Sequence, residues 1–517
     1  MTRIRRYIPY LALLPCLASP AQAEGFKGLK DLVASPEMPS LPDNSESSTK
    51  IMSDLIERFE LDLSRHAKRY SLEESIQRSL EKNPIALKEF RLYQGLVWDS
   101  IATRREWMPS ITIDSPNGPV GYNRKLTEIY TLPESNNKWS RAFSLQEGSQ
   151  GKPRVKIEWS ILNLSRNSRL GAQKDSIDAQ ELKLRQSIRE LVLDVQSDFY
   201  ELQMARQEED VFQGIYDFSR NLVAKLESNS SNQSGEKIIA ALKARSLQAL
   251  SLRVSAQQNV IRLSSSLASM MALPADSFVL PSERLAVNGE WGMKLLPTID
   301  IARKRREEVK IAKVQADSFR QQAKALLRGY IPEVKVEAIG KVESSSYSLR
   351  QTQSDDYLDA NGFTLDKSVG LNLSWKVFDS GVLAAQSSAF RKKESSSLQQ
   401  SQLDLLNIDT QVKSAYAVYS SQLIQLPVVK RELDQALLSL ELRYEQSQQP
   451  SVTTITNLIQ AIDQYQSAAS RWFVTIQKYN TAIAQLYRYT SQWPKGVGSQ
   501  VDTALGYMSH VDLETTN

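Results

Sequence analysis

The sequence predicts a mostly α-helical chain with a membrane β-barrel portion, built as two repeats of helix, strand, strand, helix and helix. Three observations carry that expectation. Strands with one apolar and one wet face feed directly into helices of about 60 residues. Marker residues recur at a spacing of 216 positions. Past the N-terminus, no apolar run reaches the roughly 18 residues of a membrane helix, so strands have to make any bilayer crossing.

The N-terminus has a positive flank at Arg3, Arg5 and Arg6, an apolar run from Ile8 to Leu17, and Ala21-Gln22-Ala23. Together these read as a secretory signal over 1–23, cleaved after Ala23. Pro15 stands where a lipobox needs a small residue, which argues against lipidation at Cys16. Cleavage removes the only cysteine and with it any disulfide or thiol chemistry. The net charge of +5 falls to about +2, an even balance that does not suit nucleic acid. Residues 24–70 form an extension whose Pro- and Ser-rich first part reads as disordered and whose 51–70 reads as an amphipathic helix.

Helix is expected over 72–106 and 298–328, each leading into a strand. The strands fall near 108–116, 153–162, 331–341 and 368–378. Val155, Ile157, Trp159 and Ile161 oppose Lys156, Glu158 and Ser160. Val334, Val336 and Ala338 oppose Lys335 and Glu337; Leu371, Leu373, Trp375 and Val377 oppose Asn372, Ser374 and Lys376. Each strand has about the 9–11 residues that cross a bilayer at a tilt. Residues 117–152 and 342–366, rich in Gly, Asn, Ser and Asp, read as long connections. Four strands leave two open edges, which lipid does not tolerate, so several chains must close one barrel.

Long helices follow at about 165–227 and 382–446, with shorter return helices at about 236–272 and 452–491. Leu184, Ile188, Leu191, Val195, Phe199 and Leu202 mark one apolar seam; Leu405, Ile408, Val412, Ala415, Tyr419 and Leu423 mark another. Pro427 is expected to bend its helix locally. Trp159 and Trp375, and Tyr200 and Tyr416, share the 216 spacing. It divides the chain into a first repeat, 71–296, a second, 297–493, and a tail, 494–517.

No enzyme constellation is present. The two histidines, His66 and His510, stand apart from any carboxylate cluster of metal-ligand spacing, and there is no Gly-rich phosphate loop or G-x-S-x-G. No cofactor or metal is expected.

Phe378-Asp379-Ser380-Gly381 resembles the F-D-x-G signature of TolC-family outer-membrane exit ducts. SLEESIQRSLEKNPIALKEF, from Ser71, resembles that family's L-x-E-A-I-x-x-A-L-x-x-N-P opening, with Leu72, Ile76, Leu80, Asn83 and Pro84 in place and Ser75 and Ser79 replacing alanines. The resemblance implies a homotrimer whose twelve strands close one barrel in outer-membrane lipid, continued in the periplasm by a long α-helical barrel. It implies a passive channel in a tripartite efflux pump or a type I secretion system, with a periplasmic adaptor protein and an inner-membrane transporter as partners. The far turns, with Gly235, Glu236, Pro450 and Ser451, then become the adaptor-docking tip. Ala241, Asn457 and Gln460 come to the aperture, where the family often places acids. Lys156, Glu158, Lys335, Glu337 and Lys376 become lumen-facing. The alternative reading of the same helices is a periplasmic or surface coiled-coil structural protein without a pore.

Overall fold

A computed structural model describes residues 65–115, 121–131, 140–227, 233–351, 357–447 and 451–505. The expected signal peptide, the extension up to residue 64, Pro450 and the last twelve residues lie outside the described residues. The compact unit begins at His66. Its strands are β1 (Ala67–Tyr70), β2 (Ser110–Asp114), β3 (Gly121–Thr131), β4 (Ser140–Gly151), β5 (Arg154–Leu162), β6 (Phe278–Pro281), β7 (Glu333–Gln351) and β8 (Tyr357–Ser374). Its helices are α1 (Leu72–Lys82), α2 (Pro84–Arg105), α3 (Leu164–Glu227), α4 (Gln233–Met270), α5 (Leu295–Arg305), α6 (Glu307–Leu327), α7 (Val382–Gln446) and α8 (Val452–Tyr489). A further helix, α9, covers 497–505.

The two long helices run 64 and 65 residues, about 95 Å each at 1.5 Å per residue. The whole expected seam of α3, from Leu184 to Leu202, is buried. On α7, Ile408, Val412, Ala415 and Tyr419 are buried, but Leu423 is exposed and Leu426 takes its place. α7 continues as helix through Pro427. The return helices α4 and α8 pack on the lower lengths of α3 and α7, and α6 packs between both long helices nearer the strands.

Three segments expected as continuous helix differ. The helix expected over 72–106 is broken at Asn83, whose Oδ1 accepts from the Ile85 N–H at 2.8 Å while its Nδ2 donates to the Met270 carbonyl at 2.9 Å. Pro84 then occupies the first helical position, where its missing N–H costs nothing. The helix expected over 298–328 starts at Leu295 and breaks at Arg306, which is extended at φ −55°, ψ 133°. Residues 67–70, expected as helix, form β1 and pair in parallel with β6. Ser75 and Ser79 are fully buried and small enough to allow close approach at that point.

A charged cluster at the α5–α6 break ties four helices together. The Arg488 Nη2 donates to Glu190 Oε1 and to Glu308 Oε1, both at 2.8 Å. Arg306 donates to both Glu308 oxygens and to Gln411 on α7. Arg189 pairs with Glu307 at 2.9 Å and lies 3.8 Å over the Trp493 ring. Burial pushes the Glu308 carboxyl up, but the Arg306 hydrogen bond and the Arg488 charge outweigh it and hold it down at about 2. α9 closes the same region: Val497, Val501 and Ala504 pack in one core with Ile76 and Leu80 of α1 and Val195 and Phe199 of α3.

The large sheet is antiparallel. β7 pairs with β8 along one edge; on its other edge it pairs with β5 near the helices and with β4 farther out. β2 pairs with β5, and β3 with β4. The sheet is therefore four strands wide, with β2–β3 and β8 as its open edges. Most of 117–152 and 342–366, expected as connections, is strand. Polar residues such as Ser344, Ser346 and Asn361 interrupt the apolar face beyond Phe363 and Leu365, so alternation does not mark these segments, but pairing with their neighbours extends the ladder. β8 ends at Ser374, short of the expected 378.

Candidate functional site

The two faces of this sheet differ in chemistry. One face carries Ile111 and Ile113 on β2, Val155, Ile157 and Trp159 on β5, Val334, Val336 and Ala338 on β7, and Val369, Leu371 and Leu373 on β8. These residues stand opposite one another in register. The face is uncovered: Val369 is 81% and Leu371 74% exposed. An exposed apolar patch of this extent needs a nonaqueous neighbour.

The opposite face is a ladder of ion pairs. Lys156 bridges Glu158 at 2.8 Å and Glu337 at 2.9 Å. Arg154 donates to Asp114 at 2.8 Å, and Lys341 pairs with Glu343 at 2.9 Å. Lys152 reaches Glu343 at 3.1 Å, and Lys335 lies 3.6 Å from Glu333. Lys156, Glu158, Lys335 and Glu337 thus share the face on which the sequence placed them. Lys376 lies past the end of β8 and outside the ladder. Asp114, Arg154, Lys341 and Glu343 are members that sequence reasoning missed. Arg154 and Lys341 stand at the outer ends of the expected strands, and the charges at 152 and 343 continue the period of two into segments read as connections.

The strand-to-helix corners repeat. Asp379 accepts from the Gly381 and Leu383 N–H groups, both at 3.0 Å, and from the Tyr330 hydroxyl at 2.8 Å. The Leu383 hydrogen bond is the first cause that holds its carboxyl below the ordinary carboxylate range. Gly381, at φ +81°, supplies the left-handed turn that a side chain would strain. In the first repeat Asn163, 216 positions earlier, accepts from the Ser165 and Arg166 N–H groups. Trp159 donates its indole N–H to the Trp107 carbonyl at 3.0 Å, and Trp375 to the Tyr330 carbonyl at 2.9 Å. Both corners therefore put indoles at the rim of the apolar band, where amphipathic rings suit a membrane interface.

At the far end, Ser451 caps α8 by accepting from the Thr454 N–H at 3.1 Å, and Thr454 Oγ1 accepts from the Ser451 N–H at 2.8 Å. Gly235 lies inside the first turn of α4, so it does not make the chain reversal itself. Glu236, Ala241 and Gln460 are exposed and Asn457 is half-buried. Arg245 on α4 is buried and pairs with Asp463 on α8 at 2.7 Å. The tip core beneath holds Leu226, Leu242, Ile455, Leu458 and Ile462, with Ile459 packed at its margin.

Among the described residues no helix is long and apolar enough to cross a membrane, and no cluster has the makings of a metal site. No protein-family model and no curated protein matches the sequence. Solved structures do. The Campylobacter jejuni CmeC outer membrane channel superposes with a TM-score of 0.64 at 12% identity, covering 96% of this chain and 97% of that chain. The outer-membrane channel OprN gives 0.60 at 15% identity, covering 82% and 90%. The Neisseria gonorrhoeae MtrE outer membrane channel, in its open state, gives 0.59 at 12% identity, covering 81% and 89%. With its paired strands, its long helices and a match over most of these chains, the protein has the fold of the TolC-like outer-membrane channels.

Proposed function

We propose that the chain is the outer-membrane channel of a tripartite efflux pump or type I secretion system, working as a homotrimer. The observation that carries this reading is the four-stranded sheet with two unpaired edges, one bare apolar face and one ion-paired face. Lipid tolerates strands only in a closed barrel. β8 and β2–β3 run antiparallel, so three copies joined edge to edge make twelve strands with lipid outside and the ion-pair ladder inside. The helices then form the periplasmic tube, and transport through it is passive, energised by an inner-membrane transporter. A periplasmic adaptor protein docks at the tip around Gly235, Glu236, Pro450 and Ser451. A poreless coiled-coil protein has no use for the bare apolar face.

Fractionation tests the reading. The mature protein is expected in detergent-extracted outer membrane as a cross-linkable trimer. Recovery as a soluble periplasmic monomer overturns it.

The aperture tests the assignment of Ala241, Asn457 and Gln460. These side chains bring no fixed charge, and Asp463 is already paired with Arg245. Cations of higher valence added from the tip side should therefore block conductance in planar bilayers only weakly. Asn457→Asp builds a three-carboxylate ring whose fields add in a narrow bore, and block should become strong. Strong block in the unmodified protein, unchanged by the substitution, places the constriction elsewhere.

A further inference from the structure

Lys367 breaks the apolar band of β8. It follows Phe363 and Leu365 and precedes Val369, Leu371 and Leu373 on the same face, in register with Gly340 and, across β7, with Val155. It is exposed, and among the described residues its ammonium has no ion-pair or hydrogen-bond partner. The nearest acid in sequence, Asp366, is on the opposite face, 3.7 Å from Lys341.

A second copy closing the barrel does not supply the missing anion. Among the described residues of the edge it brings, β2 and β3, the acids are Asp114, which is bonded to Arg154 on the inner face, and Glu128, which stands opposite Phe143 near the outer end of β3, well beyond the level of Val155. A charge in the apolar band of a barrel is costly in proportion to its depth. Lys367 lies four residues inside Phe363, beyond which Asn361, Ser346 and Ser149 make the outward face polar. Four residues are about 13 Å along a strand, or about 10 Å of height at the usual tilt. That is shallow enough for the flexible stem of a lysine to lift its head toward the outer headgroups while its methylenes stay in the apolar layer. The depth, the free ammonium and an edge whose described outward residues at this level, Ile111 and Ile113, are apolar all call for an anion from the lipid itself.

We propose that Lys367 anchors the phosphate of an anionic lipid in the outer leaflet, one at each seam between protomers. A lysine head is a compact point charge well suited to a phosphate and needs no fixed fork geometry. The assignment rests on the trimeric barrel proposed above.

The test uses the full-length trimer in nanodiscs of phosphatidylcholine, with and without phosphatidylglycerol. Native mass spectrometry reads lipid retention, and heating reads trimer dissociation. Unmodified trimers should retain phosphatidylglycerol and dissociate at a higher temperature with it present. Lys367→Gln should assemble equally well in phosphatidylcholine, retain the anionic lipid about fivefold more weakly and lose the thermal gain. Full retention and full gain in Lys367→Gln overturn the site. A matching gain from inorganic phosphate added to phosphatidylcholine discs overturns the lipid as its source. If no membrane-inserted trimer forms in either disc, the barrel itself is overturned, and the site with it.

Discussion

Replacing Arg488 by methionine is expected to destabilise the folded chain by about 3–5 kcal/mol, read as a lower midpoint in chemical denaturation of the detergent-solubilised protein. Methionine keeps the length and apolar bulk of the side chain, so the loss is electrostatic. Arg488 is 4% exposed and is shared by Glu190 and Glu308. Without it Glu308 keeps Arg306 alone, in a site too dry to solvate the remaining charge. Arg185→Met is the matched control. It removes an exposed pair with Glu181 one helical turn away and should cost about 0.5 kcal/mol or less. Equal midpoints for the two variants would show that the cluster is not structural.

The same cluster sets an acid limit. The folded pKa of Glu308 is depressed from the ordinary 4.5 to about 2. Its stabilisation, about 3 kcal/mol, is complete above pH 4.5 and is lost as pH falls toward 2. The Arg488→Met variant should show a shallower decline across that window, because one of the two cations that lower the pKa is gone.

The second large effect separates two adjacent residues. Leu371 stands on the bare apolar face and Asn372 on the ion-paired face. Leu371→Arg should cost about 2–4 kcal/mol per chain at mid-depth in lipid, and three copies should suffice to prevent barrel assembly. Asn372→Arg puts the same charge into the aqueous bore beside Glu337, which already accepts from Asn372 at 3.5 Å. That variant should assemble and shift the selectivity of the pore toward anions. The readouts are trimer yield in outer membrane and reversal potential in a salt gradient. The reverse pattern, with Leu371→Arg tolerated and Asn372→Arg excluded, would turn the sheet inside out.

What the sequence made legible follows from the range of each signal. The long helices were readable to within a residue because their seams repeat over many turns between strong punctuation. The lower strands were readable because one apolar and one charged face impose a period of two. Their outward continuations were not, since Ser344, Ser346 and Asn361 interrupt the apolar face around Phe363 and Leu365 and leave too short an alternation to read. The break at Asn83–Pro84 was not expected, although a capping residue followed by proline marks it. The break at Arg306 was not, because it depends on Glu308 and Gln411, the latter on another helix. The Arg488 cluster was invisible for the same reason: Glu190 lies 298 positions away, and charged residues on amphipathic helices read as solvated. At the tip, the period placed Ser451 at a helix start but could not say that Gly235 lies inside one.

The docking of α9 has a consequence for the order in which the chain folds. Val497, Val501 and Ala504 complete a core whose other walls include Ile76, Leu80 and Phe199. Contacts between the two ends of a chain form late, because the whole intervening loop must be closed before they contribute. The first repeat is therefore expected to stay unfinished during synthesis, its apolar walls open until residues 497–504 are made. Such a chain is expected to be exposed to aggregation while it is made and to depend on a holding chaperone for longer than its size alone suggests. A stop codon before Val497 should thus show up as lost yield and proteolysis during biogenesis, well before any effect on transport could be measured.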